Sequence, residues 1–279
     1  MKVMTFFKKT SVVLLVLLLS AASASAAPKA ELWPHWQTNA PQSQIRIEHS
    51  AWSAFLQKYL VVASDETPNL LRYAAVTQVD RQLLADYLSK LSSVTPTRLN
   101  RPEQKAYWIN LYNALTVKTI LDHYPVESIR DIKSGWFSAG PWDLKLIKVD
   151  GLELSLNDIE HRILRPIWQD SRIHYAVNCA SYSCPNLQPE AFSADNSAPL
   201  LDQAARAYVN SPRGVRLAGD NLVLSSIYDW YQVDFGENQA ALLDYLQTLS
   251  LPELAARLKT FQGTPGTISF DYDWRLNAE

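Results

Sequence analysis

Between Arg101 and Pro125 the chain reads RPEQKAYWINLYNALTVKTILDHYP, and this segment constrains the fold more than any other. Pro102 suits the first turn of a helix, and Pro125 lies just past its end. From Ala106 to Leu121 apolar side chains occupy nearly every face. A helix that is apolar all round is buried, so the rest of the chain must wrap around this rod. Asn110 and Asn113 sit one turn apart within it. A buried amide without partners costs about 1–3 kcal/mol. Both side chains must therefore either bridge loop backbone or line a binding pocket.

The flanking sequence supplies the wrapping. Helical spacing of apolar residues predicts helices over 49–60, 78–91, 199–210, 238–249 and 252–258. Asp150-Gly151 divides two alternating runs and predicts a tight hairpin. A second hairpin turns at Gly219–Asn221, and TISFDYDW near the end reads as a last strand. RIHYAVNCA, over 172–180, is β-rich and reads as a central strand. These elements predict an α+β fold. Its expected form is a single domain over 45–279, with an antiparallel sheet packed on the buried helix and several helices around it.

The N-terminus carries Lys2, Lys8 and Lys9, then a Val/Leu run, then Ala-x-Ala patterns ending at Ala26. That layout predicts a cleavable signal peptide over 1–26 and a secreted or periplasmic protein. Residues 27–44, rich in Pro, Ala and polar groups, read as a loose leader. Removing 1–26 takes 26 basic and 28 acidic residues to 23 and 28, a formal charge of −5. Scattered, mildly acidic charge makes no electrostatic case for nucleic acid. No membrane span is expected in the mature chain, and no cofactor. A small-molecule or peptide ligand remains open.

Ser155 and Asp158 stand in capping-box positions ahead of LNDIEHRILR. On a regular helix, Leu156, Ile159, Ile163 and Leu164 form one apolar arc. Glu160 falls in the middle of that arc, and His161 at its edge. Glu is almost never fully buried unless paired. The carboxylate is thus either a structural ion pair or a catalytic acid/base that also orients a histidine.

RIHYAVNCASYSCPNL, over 172–187, holds both cysteines and His174. On a regular strand His174 and Cys179 face opposite ways, about 16 Å apart, too far for a nucleophile–base pair. His161 is the better candidate for the base. No histidine follows Cys184, so the Cys-then-His order of papain-like enzymes is closed. Three readings stay open. Cys179 and Cys184 form a short-loop disulfide, the default in an oxidising compartment. Cys179 is a reactive thiol served by His161 and Glu160, with Asn178, Ser181 and nearby backbone N–H groups positioned for binding. The two thiols and one or both of His161 and His174 hold a transition metal, for which four such ligands suit zinc.

YWINLYNALTVK, NDIEHRILRP, RIHYAVNCASYSCPNL and LSSIYDWYQVDF, in this order across roughly 101–235, resemble the family catalogued as domain of unknown function 547. The resemblance implies one domain, found in secreted bacterial proteins and in plant proteins, with no agreed activity. Its motif positions fall on Trp108, Asn110, Asn113, Glu160, His161, His174, Cys179, Ser181 and Pro185. It implies that plant members keep a cysteine like Cys179 and often replace the one like Cys184. Ser226 departs from the basic residue many members place there.

The resulting expectation is a thiol-dependent hydrolase or acyl transferase on peptide or amide substrates. Its catalytic residues would be Cys179, His161, Glu160 and His174, and its binding residues Asn110, Asn113, Asn178 and Ser181. The rival is a non-catalytic envelope module with a structural Cys179–Cys184 disulfide.

Overall fold

The computed structural model describes residues 28–63, 67–133, 135, 138–261 and 268–279. The expected signal peptide lies outside them. The central helix forms as α3 (Arg101–His123). The Asn100 side chain caps it by accepting from the Glu103 N–H, and Pro102 occupies the first turn. Its middle is buried on every face, with Trp108, Ile109, Asn110 and Ile120 fully enclosed.

Helix α2 (Gln78–Ser92) packs against it, and α1 (Ser50–Tyr59) packs against α2. Between them, β1 (Leu60–Val61) and β2 (Leu70–Leu71) form a two-stranded antiparallel ladder. The hairpin β3 (Ile147–Val149) and β4 (Leu152–Leu154) turns where expected, with Asp150 and Gly151 both at positive φ. That pattern is a type I′ turn, which Asp-Gly favours.

The second half holds α4 (Arg165–Trp168), α5 (Ser197–Val209), α6 (Ile227–Trp230), α7 (Gln232–Phe235), α8 (Gln239–Leu249) and α9 (Pro252–Lys259). A three-stranded sheet is built from β5 (Val215–Ala218), β6 (Asn221–Ser225) and β7 (Ile268–Asp271). The fold is α+β. No described helix is long and apolar enough to cross a membrane.

Three expectations change. The sheets are small and separate rather than one antiparallel layer, and β7 runs parallel to β6. The segment expected as the central strand is a 3₁₀ helix, Ser171–Tyr175, followed by irregular chain. The Asp170 carboxylate caps it by accepting from the Arg172 N–H. Residues 173–178 are buried without interruption, so the β-rich, apolar composition reflects burial on all sides and not a pleat.

The leader is the third change. Residues 28–44 are docked rather than loose. The Glu31 and Trp33 N–H groups donate to the carbonyls of His161 and Arg162. Trp36 is fully buried, edge-on to Trp108 at 5.0 Å between ring centres. The Gln104 amide, rooted in α3, donates to Thr38 O.

Candidate functional site

Two clusters of reactive side chains lie on adjoining segments. The first is built on the helix after Ser155. Its capping box forms, with the Ser155 N–H donating to Asp158 and the Asp158 N–H donating to Ser155 Oγ. The helix then widens to a π-helix over Asp158–Leu164. Wider turns rotate side chains away from 3.6-residue positions. Both Glu160 and His161 consequently face inward, 6% and 3% exposed.

His174, delivered by the 3₁₀ turn and not by a strand, completes the cluster. Its Nδ1 lies 3.6 Å from Glu160 Oε1, and its Nε2 lies 2.7 Å from Asp234 Oδ2. Arg165 Nε donates to the same Asp234 oxygen at 2.6 Å, and Arg165 Nη1 donates to His161 Nδ1 at 3.0 Å. Tyr231 stacks on His174, 4.5 Å between ring centres, and the Arg165 guanidinium lies over the Tyr231 ring, 4.8 Å from its centre.

The electrostatics follow from this geometry. Burial alone would raise the Glu160 carboxyl, but His161, His174 and Arg165 hold it at about 2. Burial likewise opposes charge on His174, yet Asp234 and Glu160 raise it above the ordinary 6.5. Burial pushes His161 down to about 4; Glu160 pulls it up, and Arg165 and His174 press it further down. His161 is therefore neutral near pH 7. Its Nδ1 accepts from Arg165, so its proton sits on Nε2. In that tautomer its Nε2 is a donor only, and it has no free lone pair for a thiol proton. The expected base role for His161 does not match this arrangement.

The second cluster is the cysteine loop. Asn113, rising from α3, donates to Ala176 O at 2.8 Å and accepts from the Asn178 N–H at 2.8 Å. Asn110 bridges Phe192 in the same way, donating at 2.7 Å and accepting at 3.0 Å. Asn178 donates to Pro185 O and accepts from the Ala180 N–H. All three amides are engaged by loop backbone. Their geometry is that of positioning residues, and it answers the question their burial in the helix raised.

Ala180 holds φ +58°, a left-handed conformation that costs a non-glycine residue roughly 1 kcal/mol or more. Asn178 and the C-terminal strap stabilise it, the strap through the Asn277 N–H to Ala180 O. The turn presents Cys179, which is half-buried, while Cys184 is 4% exposed.

Both cysteines are free thiols, with their sulfurs 3.1 Å apart. Cys179 Sγ also lies 3.1 Å from Ser181 Oγ and 3.2 Å from Tyr272 OH. The two hydroxyls are themselves 2.8 Å apart, so one donates to the sulfur while the other relays. Hydrogen bonding from Cys184 lowers the Cys179 thiol to about 7; burial opposes this, and Ser181 and Tyr272 reinforce it. Burial drives the Cys184 thiol upward. The Cys179 N–H donates to Cys184 Sγ at 3.0 Å, and Arg213 holds the Cys184 carbonyl.

The sulfur's bonded neighbours are thus hydroxyls and a thiol, not imidazoles. Among the described residues, no three His, Cys, Asp or Glu side chains are grouped to hold a metal. The two clusters meet through Tyr112 and Tyr231, whose phenols lie within electrostatic reach of both Glu160 and the thiols. Sequence reasoning missed Arg165, Tyr231, Asp234 and Tyr272. Tyr231 and Asp234 fall in the YDWYQVDF motif, which offered a signal. Tyr272 lies 93 residues beyond Cys179, and nothing local marks it.

Residues 96–209 match the model of the family described as "Protein of unknown function, DUF547". No curated protein and no solved structure gives a match.

Proposed function

We propose that the protein is a thiol-dependent hydrolase or acyl transferase acting on peptide or amide groups outside the cytoplasm, with Cys179 as its nucleophile. The observation that carries this reading is the sulfur's surroundings. Cys179 is partly accessible, sits on a strained turn, and is held near pKa 7 by Cys184, Ser181 and Tyr272. A thiolate, not a thiol, is the nucleophile. A thiol lowered in this way ionises more readily at neutral pH without any imidazole base.

In the proposed reaction the thiolate adds to the acyl carbon, giving a tetrahedral intermediate. The C–N bond then breaks, and the leaving amine takes a proton from the Tyr272–Ser181 hydroxyl pair. Water or an acceptor amine then attacks the Cys179 thioester and gives its proton back to that hydroxyl pair, and the C–S bond breaks to release the acyl product and restore the Cys179 thiolate. Glu160 and His174 enter as an adjoining charged wall, with the neutral His161 beside them.

The test is turnover of a panel of fluorogenic peptide amides and acyl esters by the reduced mature protein. Alkylation of Cys179 is expected to stop it. A Cys179→Ser variant with full turnover would overturn the reading. The 3.1 Å approach of the sulfurs favours one rival, a non-catalytic envelope module closed by a Cys179–Cys184 disulfide. That rival predicts no free thiol in the exported protein and no turnover after reduction.

A further inference from the structure

We propose a second activity at the same loop: thiol–disulfide exchange, in which Cys179 attacks a substrate disulfide and Cys184 resolves the mixed disulfide. It shares only the Cys179 nucleophile with the reading above.

The pair has an asymmetry that exchange requires. Cys179 is half-buried and meets solvent, whereas Cys184 is enclosed. An incoming disulfide therefore reaches Cys179 first. The attacking sulfur should be the more ionised one, and the thiols here are displaced in opposite directions. Cys184 needs no large movement to follow, since the sulfurs stand about 1 Å beyond a bonded S–S distance.

The loop holds both thiols in register. The Ser181–Cys184 turn closes through the Cys184 N–H to Ser181 O. Arg213 fixes the Cys184 carbonyl, and Asn178 ties Ala180 to Pro185 across the pair. The Cys179 N–H directed at Cys184 Sγ stabilises negative charge there when Cys184 becomes the attacker. A disulfide with only a structural purpose has no need of Ser181 and Tyr272 directed at one of its sulfurs.

The step balances as follows. The Cys179 thiolate forms an S–S bond to one substrate sulfur, and the other leaves as a thiolate that takes up a proton. Cys184 loses its proton and bonds to Cys179 Sγ, expelling the first substrate sulfur as a second thiolate. Two electrons pass from the protein dithiol to the substrate, which ends as two thiols. An external dithiol reductant resets the pair. The substrate class is an exposed disulfide of a peptide or protein.

The experiment uses the full mature chain, reduced and then exposed to oxidised glutathione, with intact-mass and free-thiol readout. A dithiol-driven insulin-reduction assay accompanies it. The wild type is expected to lose both thiols and retain no glutathione. Cys184→Ser is expected to trap glutathione on Cys179 and to lose about tenfold or more in insulin reduction. Cys184→Ala serves in its place if the serine variant fails to fold.

Wild type that retains glutathione as fully as the variant would overturn the proposal. So would wild-type thiols left unreacted while Cys179 alkylates normally. Turnover of acyl substrates in Cys184→Ser is scored separately: if it persists while exchange is absent from the wild type, only the exchange proposal falls. If Cys179 cannot be alkylated at all, the nucleophile common to both readings falls.

Discussion

His174 Nε2 lies 2.7 Å from Asp234 Oδ2, joining the 3₁₀ turn before the cysteines to a helix sixty residues later. Glu160 stands on the other side of the same ring, so the imidazole is held between two carboxylates. Nuclear magnetic resonance titration is expected to show His174 protonating above 6.5, and His161 only near pH 4. A His174 that titrates below 6.5 would remove the cation from the centre of the network.

The same shifts give acid and base limbs of stability. The folded value of His161 is depressed, so its contribution is complete above 6.5 and is lost as pH falls from there toward about 4. Glu160 contributes fully above 4.5 and loses that contribution as pH falls toward about 2. His174 is raised, so its contribution is present below 6.5 and is lost as pH climbs through its folded value. Urea midpoints are expected to fall between pH 6.5 and pH 4. A flat profile across that window would contradict the assignment of His161 as buried and neutral.

Asn113→Ala removes partners from both Ala176 O and the Asn178 N–H. Each orphaned buried group costs about 1–3 kcal/mol, so a total loss of about 2–6 kcal/mol is expected. The variant should also react differently at Cys179, because Asn113 positions the loop. Denaturant melts paired with alkylation rates measure both effects. Unchanged stability would mean the loop does not depend on α3.

Trp36 ties the N-terminal segment to the core. Trp36→Ala is expected to cost about 3–5 kcal/mol, as truncation of a large buried side chain does. A thermal melt within error of the wild type would return residues 28–44 to the status of a loose leader.

Tyr272→Phe deletes one hydroxyl that faces Cys179 Sγ and Ser181 Oγ. The thiol value is expected to rise toward that of an ordinary cysteine, slowing alkylation at pH 7 several-fold. Global stability should change by only about 1 kcal/mol. Equal alkylation rates in both proteins would exclude Tyr272 from the activation of the thiol.

Much of this was legible before the coordinates. The all-round apolar pattern of 106–121 marked the buried helix, and Asp150-Gly151 marked its hairpin. Ser155 and Asp158 marked a helix start. Glu160, misplaced on an apolar arc, pointed to a buried charged network. What local pattern did not reveal were features set by distant partners. The 172–180 segment is β-rich and apolar like a strand, but Asp170 capping and burial on every side make it a 3₁₀ turn. A π-helix carried His161 inward from the edge of the arc, which a 3.6-residue wheel does not anticipate. Tyr272 and Asp234 reach their sites only through tertiary folding. His161, the natural base on sequence grounds, is claimed by Arg165.

The central claim is that hydroxyl and thiol neighbours, and not a histidine, activate Cys179. The most direct test is the pH dependence of Cys179 alkylation in the reduced protein, compared between wild type and His161→Gln. The account predicts half-maximal rates near pH 7 in both. A wild-type midpoint near that of an ordinary cysteine, or a midpoint that climbs there only when His161 is replaced, would contradict it.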